Sequence, residues 1–202
     1  MNTELEQKYT MMENIRNDVL HLKESPLYQY RVDNKYLPVV GEGGYAVKTM
    51  FVGEFPGENE AKTGRPFCGK SGKILDEMLD LIRLNRSDVY ITDLVKDRTP
   101  DNREPSPEEV QLYSPFLDRQ IEIIKPTLVV TLGHFATEYV LTRFGLKDKI
   151  ADIDTVHGKS FLAITGYAEV TIIPLYHPAF TLYNESNREI LLNDFQVLKK
   201  II

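Results

Sequence analysis

The sequence has no tryptophan and a single cysteine, Cys68, among its 202 residues. One cysteine excludes a disulfide within the chain and any cluster that needs several thiolates. This poverty in cysteine fits a reducing compartment, so we expect a cytoplasmic protein. No apolar run approaches the roughly 20 residues of a membrane-spanning helix, and no signal peptide is visible. We therefore expect no membrane partner.

Positive charge is also scarce, because 24 Lys and Arg residues face 30 Asp and Glu residues and leave a net charge of −6. Such a balance argues against a protein that coats DNA generally, since neutralising phosphates needs many cations. It does not exclude an enzyme with a narrow DNA footprint. The apolar content of 42% suffices for one core, so we expect one domain over residues 1–202.

An apolar stripe with helical spacing marks the N-terminal segment. Its members are Leu5, Tyr9, Met12, Ile15, Val19 and Leu22. We expect residues 1–24 to form a helix that packs on the core. Downstream, strand-like runs at 47–52, 128–132 and 170–175 alternate with helix-like runs at 74–79, 135–144 and 188–201. This alternation predicts an α/β fold with a central, mostly parallel sheet flanked by helices.

The segment between the first strand-like run and the helix after it is rich in glycine and proline. It begins with Gly53-Glu54-Phe55-Pro56-Gly57 and continues to Gly69-Lys70-Ser71. A loop of this kind lets the main chain approach a ligand closely. Residues 64–71 also satisfy the P-loop pattern of nucleotide hydrolases. We disfavour that alternative, and expect no nucleotide cofactor, because Pro66 and Phe67 stand where free amides should cradle phosphates.

Four motifs in order resemble the uracil-DNA glycosylase superfamily, specifically its iron-sulfur branch, family 4. They are Gly53 to Gly72, Val89-Tyr90-Ile91-Thr92-Asp93-Leu94-Val95-Lys96, Pro126 to Gly133, and Tyr176-His177-Pro178-Ala179-Phe180. The resemblance covers about residues 20 to 200. It implies a three-layer αβα fold with a four-stranded sheet, and a monofunctional DNA glycosylase that acts as a monomer.

Family 4 proteins hold an iron-sulfur cluster on four cysteines, and the corresponding positions here are Leu22, Ser25, Asp97 and Tyr113. None of these side chains ligates iron as a thiolate does, so we expect neither a metal nor another cofactor. In the relatives the cluster is structural, so its loss leaves the chemistry possible. Packing by Tyr28, Tyr30 and Tyr113 is our expectation for what replaces it.

The resemblance assigns a role to each motif residue. A glycosylase flips the nucleotide into a pocket, and Phe67 matches the aromatic ring that stacks on the base. His177 matches the donor that stabilises negative charge on the departing base. Glu54 and Glu60 are both candidates for positioning water. Phe55 replaces a smaller residue of the family and is expected to reshape the pocket wall.

Asp93 departs most from the family, whose motif ends here in an Asn that reads uracil. An ionised carboxylate only accepts hydrogen bonds, but a protonated one also donates and then matches cytosine as well as uracil. Because excising ordinary cytosine would destroy a genome, a modified cytosine of viral DNA, hydroxymethylated or glucosylated, becomes a candidate substrate in antiviral defence. The alternatives are a divergent uracil repair enzyme and a catalytically inactive DNA-binding relative.

DNA is the expected partner, and cations near the first two motifs are candidate contacts to its backbone. They are Lys62, Arg65, Lys70, Lys73 and Lys96.

Overall fold

The computed structural model describes residues 3–182, 184 and 186–202, in which helices and strands alternate along the chain. The helices are α1 (Thr3–Leu20), α2 (Leu27–Asp33), α3 (Glu58–Thr63), α4 (Lys70–Leu81), α5 (Pro107–Ile124), α6 (His134–Arg143), α7 (Ile153–Val156) and α8 (Ser186–Lys199). The strands are β1 (Glu42–Gly43), β2 (Thr49–Gly53), β3 (Val89–Asp93), β4 (Leu128–Leu132), β5 (Phe161–Ile164) and β6 (Glu169–Leu175). No helix in the described part of the chain combines the length and hydrophobicity needed to cross a bilayer.

Within the described residues the strands form one sheet in the order β1-β3-β2-β4-β6-β5. The four inner strands are parallel, and β1 and β5 pair antiparallel at the two edges. The predicted α/β fold with a mostly parallel sheet is confirmed, but the sheet has six strands in these residues instead of four. The difference is the two edge strands, which are only two and four residues long.

Alternating residues of the inner strands face two separate cores. In β2, Met50 and Val52 pack with α1, α5 and α6, whereas Phe51 packs on the opposite side with α4 and α8. The inner strands β2, β3 and β4 are buried along their whole length, as expected for strands covered on both faces. The molecule is therefore a three-layer αβα sandwich.

A buried polar network, which we call the polar staple, consists of Ser25, Arg31, Asp97 and Tyr113. Arg31 donates from Nη1 to both carboxylate oxygens of Asp97, at 3.0 and 2.8 Å. The Tyr113 hydroxyl donates to Asp97 Oδ2 at 2.5 Å, so it accepts from Ser25 Oγ at 2.8 Å. Arg31 also donates to the main-chain oxygens of Val19 and Leu20, in the last turn of α1.

The polar staple lies where the sequence aligns with the cluster cysteines of family 4. Three of the four positions, Ser25, Asp97 and Tyr113, are hydrogen-bonded to one another through oxygen atoms, and the fourth, Leu22, packs against the core. Oxygen donors already committed to each other do not fit an iron-sulfur cluster, which needs thiolates. We expected Tyr28, Tyr30 and Tyr113 to pack in place of the cluster. Tyr113 is buried in the core and adds a hydrogen bond through its hydroxyl, Tyr28 lies under the Arg31 guanidinium at 5.1 Å, and Tyr30 packs edge-on against Tyr36.

Candidate active site

The site lies at the carboxyl edge of the sheet, where the connections from β2 and β4 diverge. Helix α4, which follows β2, covers one face, and α6, which follows β4, covers the other. Such a point of divergence leaves a crevice that α/β proteins use for ligands. Glu54 spans it, because its Oε1 accepts a hydrogen bond at 3.0 Å from the main-chain NH of Phe135 at the start of α6.

A cavity of about 310 Å³ opens at this crevice, within the range of about 300–1,000 Å³ typical of small-molecule sites. Its walls include all six residues predicted from the sequence to act on the base or the bond, which are Glu54, Phe55, Glu60, Phe67, Asp93 and His177. They come from segments more than 120 positions apart in the chain. The structure thus brings the first, second and last motifs to one cavity.

Two glycines permit this close assembly. A Cβ atom at Gly53 would stand 2.3 Å from Asp93 Oδ1 and 2.7 Å from the Phe67 ring. A Cβ atom at Gly133 would stand 2.5 Å from the carboxyl group of Glu54, and Gly133 also has a φ of +103°. Larger residues at either position would displace a wall of the cavity, because atoms this close overlap.

Phe67 is held in an uncommon conformation. Its φ of 48° lies in the left-handed region, which costs free energy for a residue with a bulky side chain. Arg86 fixes the turn by donating to the carbonyl oxygens of Pro66, at 3.0 Å, and of Phe67, while it bridges to Asp76 at 2.6 Å. The Phe67 ring then lies 5.5 Å from the His177 ring, centroid to centroid.

His177 presents a neutral donor to the cavity. Burial lowers the pKa of its imidazole to about 4, so the ring is uncharged near neutral pH. Its Nδ1 accepts a hydrogen bond at 3.1 Å from the main-chain NH of Ala179. Since a neutral imidazole carries one proton, that proton lies on Nε2, which is free to donate.

The two glutamates have different surroundings. Glu60 Oε1 accepts from the main-chain NH groups of Cys68, at 2.9 Å, and Gly69, at 2.7 Å, and so ties α3 to the start of α4. These are amides that a P-loop would aim at phosphate, and a carboxylate of the chain already occupies them. Glu54 accepts from main-chain NH groups at the start of α6, with Phe135 at 3.0 Å, and burial raises the pKa of its carboxyl group.

Asp93 ends β3 and is 2% exposed, yet within the described residues its carboxyl group makes no hydrogen bond. Its side chain lines the cavity instead. Burial raises the pKa of the carboxyl group, and the charges of Glu60 and Glu54 act in the same direction, whereas Lys96 opposes them. A buried carboxyl group without a protein partner is available to a ligand.

The predicted DNA-contacting cations divide into three groups. Lys70 and Lys73 are exposed on α4. Lys62 and Arg65 are also exposed but form ion pairs with Glu58 at 2.5 Å and Glu42 at 2.7 Å. The prediction for Lys96 is wrong, because its side chain is 0% exposed and cannot reach a phosphate.

Sequence reasoning missed several residues of the site. Ser71, Asn102 and Ala179 complete the cavity wall, and Arg86 supports it from behind. Asn102 has a φ of 53°, a conformation that Asn adopts more readily than most residues, so the Asp101-Asn102 pair was the available signal. No local pattern identifies Arg86, whose partners lie 19 and 20 positions away.

Comparison with known proteins adds an independent line of evidence. The model of the uracil DNA glycosylase superfamily matches residues 40–199. A type-4 uracil-DNA glycosylase of Sulfurisphaera tokodaii is 42% identical over 191 residues, which cover 94% of this chain and 84% of that protein. A type-4 uracil-DNA glycosylase of Thermotoga maritima is 40% identical over 194 residues, which cover 95% of each.

Proposed function

The chain belongs to the uracil-DNA glycosylase superfamily and is a DNA glycosylase, and from that premise we propose that it flips a pyrimidine nucleotide into the cavity and hydrolyses its N-glycosidic bond. The observation that carries the proposal is the convergence of His177, Glu54 and Phe67 on one cavity of about 310 Å³. The named walls of the cavity need no residue beyond this chain, so we propose further that the protein acts as a monomer. The single cysteine supports our proposal of a cytoplasmic location.

We propose that His177 drives departure of the base. As the N-glycosidic bond breaks, its electrons move onto the pyrimidine and negative charge develops on O2. A neutral Nε2–H stabilises that charge without giving up its proton, and the lowered pKa of the ring keeps it neutral over the physiological range. The Phe67 ring, beside His177, supplies the apolar face on which the base stacks.

We propose that Glu54 positions the attacking water. Its carboxylate lies in the crevice beside the main-chain NH groups at the start of α6, and the lone pairs that they leave are available to water and to the positive charge that builds on the sugar. Glu60 has Oε1 committed to two amides and serves to hold the loop that carries Phe67. Sequence reasoning left Glu54 and Glu60 both open for this role, and this division supports our choice of Glu54.

Asp93 is the proposed base reader. When protonated, it accepts from N3–H of uracil with one oxygen and donates to O4 with the other. The curated relatives are named uracil-DNA glycosylases, so uracil is the substrate we propose first. A second candidate, modified cytosine in viral DNA, is favoured by the same residue, because the protonated carboxyl group also donates to cytosine N3 and accepts from N4–H.

The test uses purified protein on matched oligonucleotides that carry uracil, cytosine, 5-hydroxymethylcytosine or its glucosylated form, scored by alkaline cleavage at abasic sites. We expect release of uracil, loss of release in the His177→Ala variant, and changed base preference in Asp93→Asn. Release of modified cytosine alone would replace the first substrate with the second. DNA binding without an abasic site on any substrate would overturn the glycosylase proposal and indicate an inactive relative.

A further inference from the structure

A second buried charge lies behind the proposed base reader. Lys96 is 0% exposed, and its ammonium group donates three hydrogen bonds, which use all of its N–H groups. The acceptors are Thr92 Oγ1 at 2.7 Å, Gln120 Oε1 at 2.7 Å, and the main-chain oxygen of Asp93. The cation is therefore anchored on the main chain of the very residue whose carboxyl group faces the cavity.

Gln120 fixes the geometry of this arrangement. Its amide nitrogen donates to the Val40 carbonyl oxygen at 2.7 Å and to the Tyr90 hydroxyl at 2.9 Å. This orientation leaves the amide oxygen directed at Lys96. Since all three acceptors of the ammonium are uncharged, its positive charge is not neutralised by direct contact. A buried charge without a contacting counter-charge acts strongly on the nearest ionisable group.

Asp93 is the ionisable group on which the charge of Lys96 acts. The other charged groups that face it in the described residues are Glu54 and Glu60, which share its cavity and oppose its ionisation. The imidazole of His177 lines the same cavity and is neutral. Lys96 alone among these groups favours the ionised form of Asp93. Burial lowers the pKa of Lys96 to about 7, while Asp93 acts in the opposite direction and favours its charged form.

We propose that Lys96 is a specificity-determining positioning residue, whose buried charge sets the pH range over which Asp93 keeps the proton it needs to read the base. The inference rests on the proposed role of Asp93. With Lys96 in place, Asp93 loses its proton at a lower pH than burial and two neighbouring glutamates would impose. Base recognition then declines as the pH rises through the Asp93 pKa of about 7 into the alkaline range, because an ionised Asp93 repels O4 of uracil.

The decisive experiment is the pH dependence of kcat/KM on a single-stranded oligonucleotide that carries uracil, or whichever base the substrate test identifies. In Lys96→Met we expect the alkaline decline to move upward by about one to three pH units, the effect of removing an opposite charge near a carboxyl group. Lys96→Arg keeps the charge and should keep the decline at the wild-type pH. A merely structural role would lower the rate in Lys96→Met equally at every pH.

Two further variants make the result specific to Asp93. Asp93→Asn has no proton to lose, so its profile should lack the alkaline decline, and adding Lys96→Met should produce no shift. Gln120→Glu keeps Lys96 but places a negative carboxylate where the Gln120 amide oxygen accepts from its ammonium group at 2.7 Å. It should move the decline upward as Lys96→Met does, and it serves if Lys96→Met fails to fold.

A measurement without turnover separates this inference from the proposed function. Carbon-13 NMR titration of the Asp93 carboxyl group, assigned by its loss in Asp93→Asn, should show a higher pKa in Lys96→Met than in the wild type. An unchanged Asp93 pKa would overturn the inference whether or not the enzyme is active. A raised pKa in a protein that releases no base would overturn the proposed function and leave the coupling of Lys96 to Asp93 intact.

Discussion

Two buried aspartates four positions apart differ in whether the protein provides hydrogen-bonding partners for the carboxyl group. Asp93 and Asp97 are 2% and 1% exposed. In the polar staple, Asp97 receives hydrogen bonds from Arg31 and Tyr113, whereas Asp93 has no hydrogen-bonding partner among the described residues. Burial raises the pKa of both carboxyl groups. The carboxylate of Asp97 therefore stabilises the fold through its hydrogen bonds in the polar staple. The carboxyl group of Asp93 remains available to a ligand in the cavity.

The same substitution at the two positions gives the largest expected contrast. Asp97→Asn removes the counter-charge of the buried Arg31, so we expect the free energy of unfolding to fall by about 3–5 kcal/mol. Asp93→Asn removes a carboxyl group that folding leaves unpaired, so the free energy of unfolding should stay level or rise. Urea denaturation at neutral pH measures both. Equal losses would show that the two regions do not differ in this way.

His177→Ala tests whether a cavity residue contributes to activity and contributes little to stability. Removing the Nε2–H donor should lower kcat/KM by about 10²–10³-fold, the usual cost of one transition-state donor. The free energy of unfolding should change far less than in Asp97→Asn, because the hydrogen bond to Ala179 is the one that the ring makes within the described residues. Single-turnover kinetics and urea denaturation on one preparation provide both numbers. A rate near wild type would remove His177 from the mechanism.

Tyr113→Phe tests the staple more gently. The change deletes the hydroxyl that links Ser25 to Asp97 and keeps the ring, so we expect a loss of about 1.5–3 kcal/mol in the free energy of unfolding. Tyr139→Phe is the matched control, since its hydroxyl donates to the half-buried Asp118 at 2.8 Å. Its loss should be smaller because water replaces that bond. Equal losses in the free energy of unfolding, measured by thermal unfolding of both variants, would show that the buried hydroxyl stabilises the protein no more than the half-buried one.

The smallest effect concerns the exposed lysines that the sequence predicts to contact DNA. Lys73 is exposed on α4 and Lys62 is paired with Glu58, so the two lysines differ in their freedom to contact phosphate. Lys73→Ala should reduce the slope of log binding constant against log salt by about 1 and weaken binding to all DNA sequences alike. Lys62→Ala should change the slope less. Fluorescence anisotropy at several salt concentrations measures both slopes. A larger change in Lys62→Ala than in Lys73→Ala would contradict the prediction.

The sequence predicted those parts of the fold and site that depend on local patterns. The run 128–132 coincides with β4, and the helix predicted at 135–144 is α6, shifted by one residue. The six residues predicted to act on the base or the bond line one cavity because of where they lie along the chain: Glu54 and His177 come after inner parallel strands, Asp93 ends one, and Phe55, Glu60 and Phe67 lie between β2 and α4. Edge strand β1 was missed because two residues carry no periodicity.

Long-range partners account for the remaining differences. Nothing near Lys96 in the sequence separates a buried lysine from a phosphate contact, since Gln120 lies 24 positions away. The polar staple depends equally on contacts between distant segments, with 66 positions between Arg31 and Asp97 and 88 between Ser25 and Tyr113. Hydrogen-bond geometry across such separations follows from the folded chain, and no local pattern encodes it.

The polar staple also bears on how the protein is made. Its four side chains are delivered by the ribosome with the rest of the chain, so the contacts among Ser25, Arg31, Asp97 and Tyr113 form as the polypeptide folds. A metal cluster at the same place would have to be assembled elsewhere, inserted, and protected from oxygen. Hydrogen bonds among the chain's own side chains hold this part of the fold together, so folding here requires no insertion of iron and no protection of a cluster from oxygen.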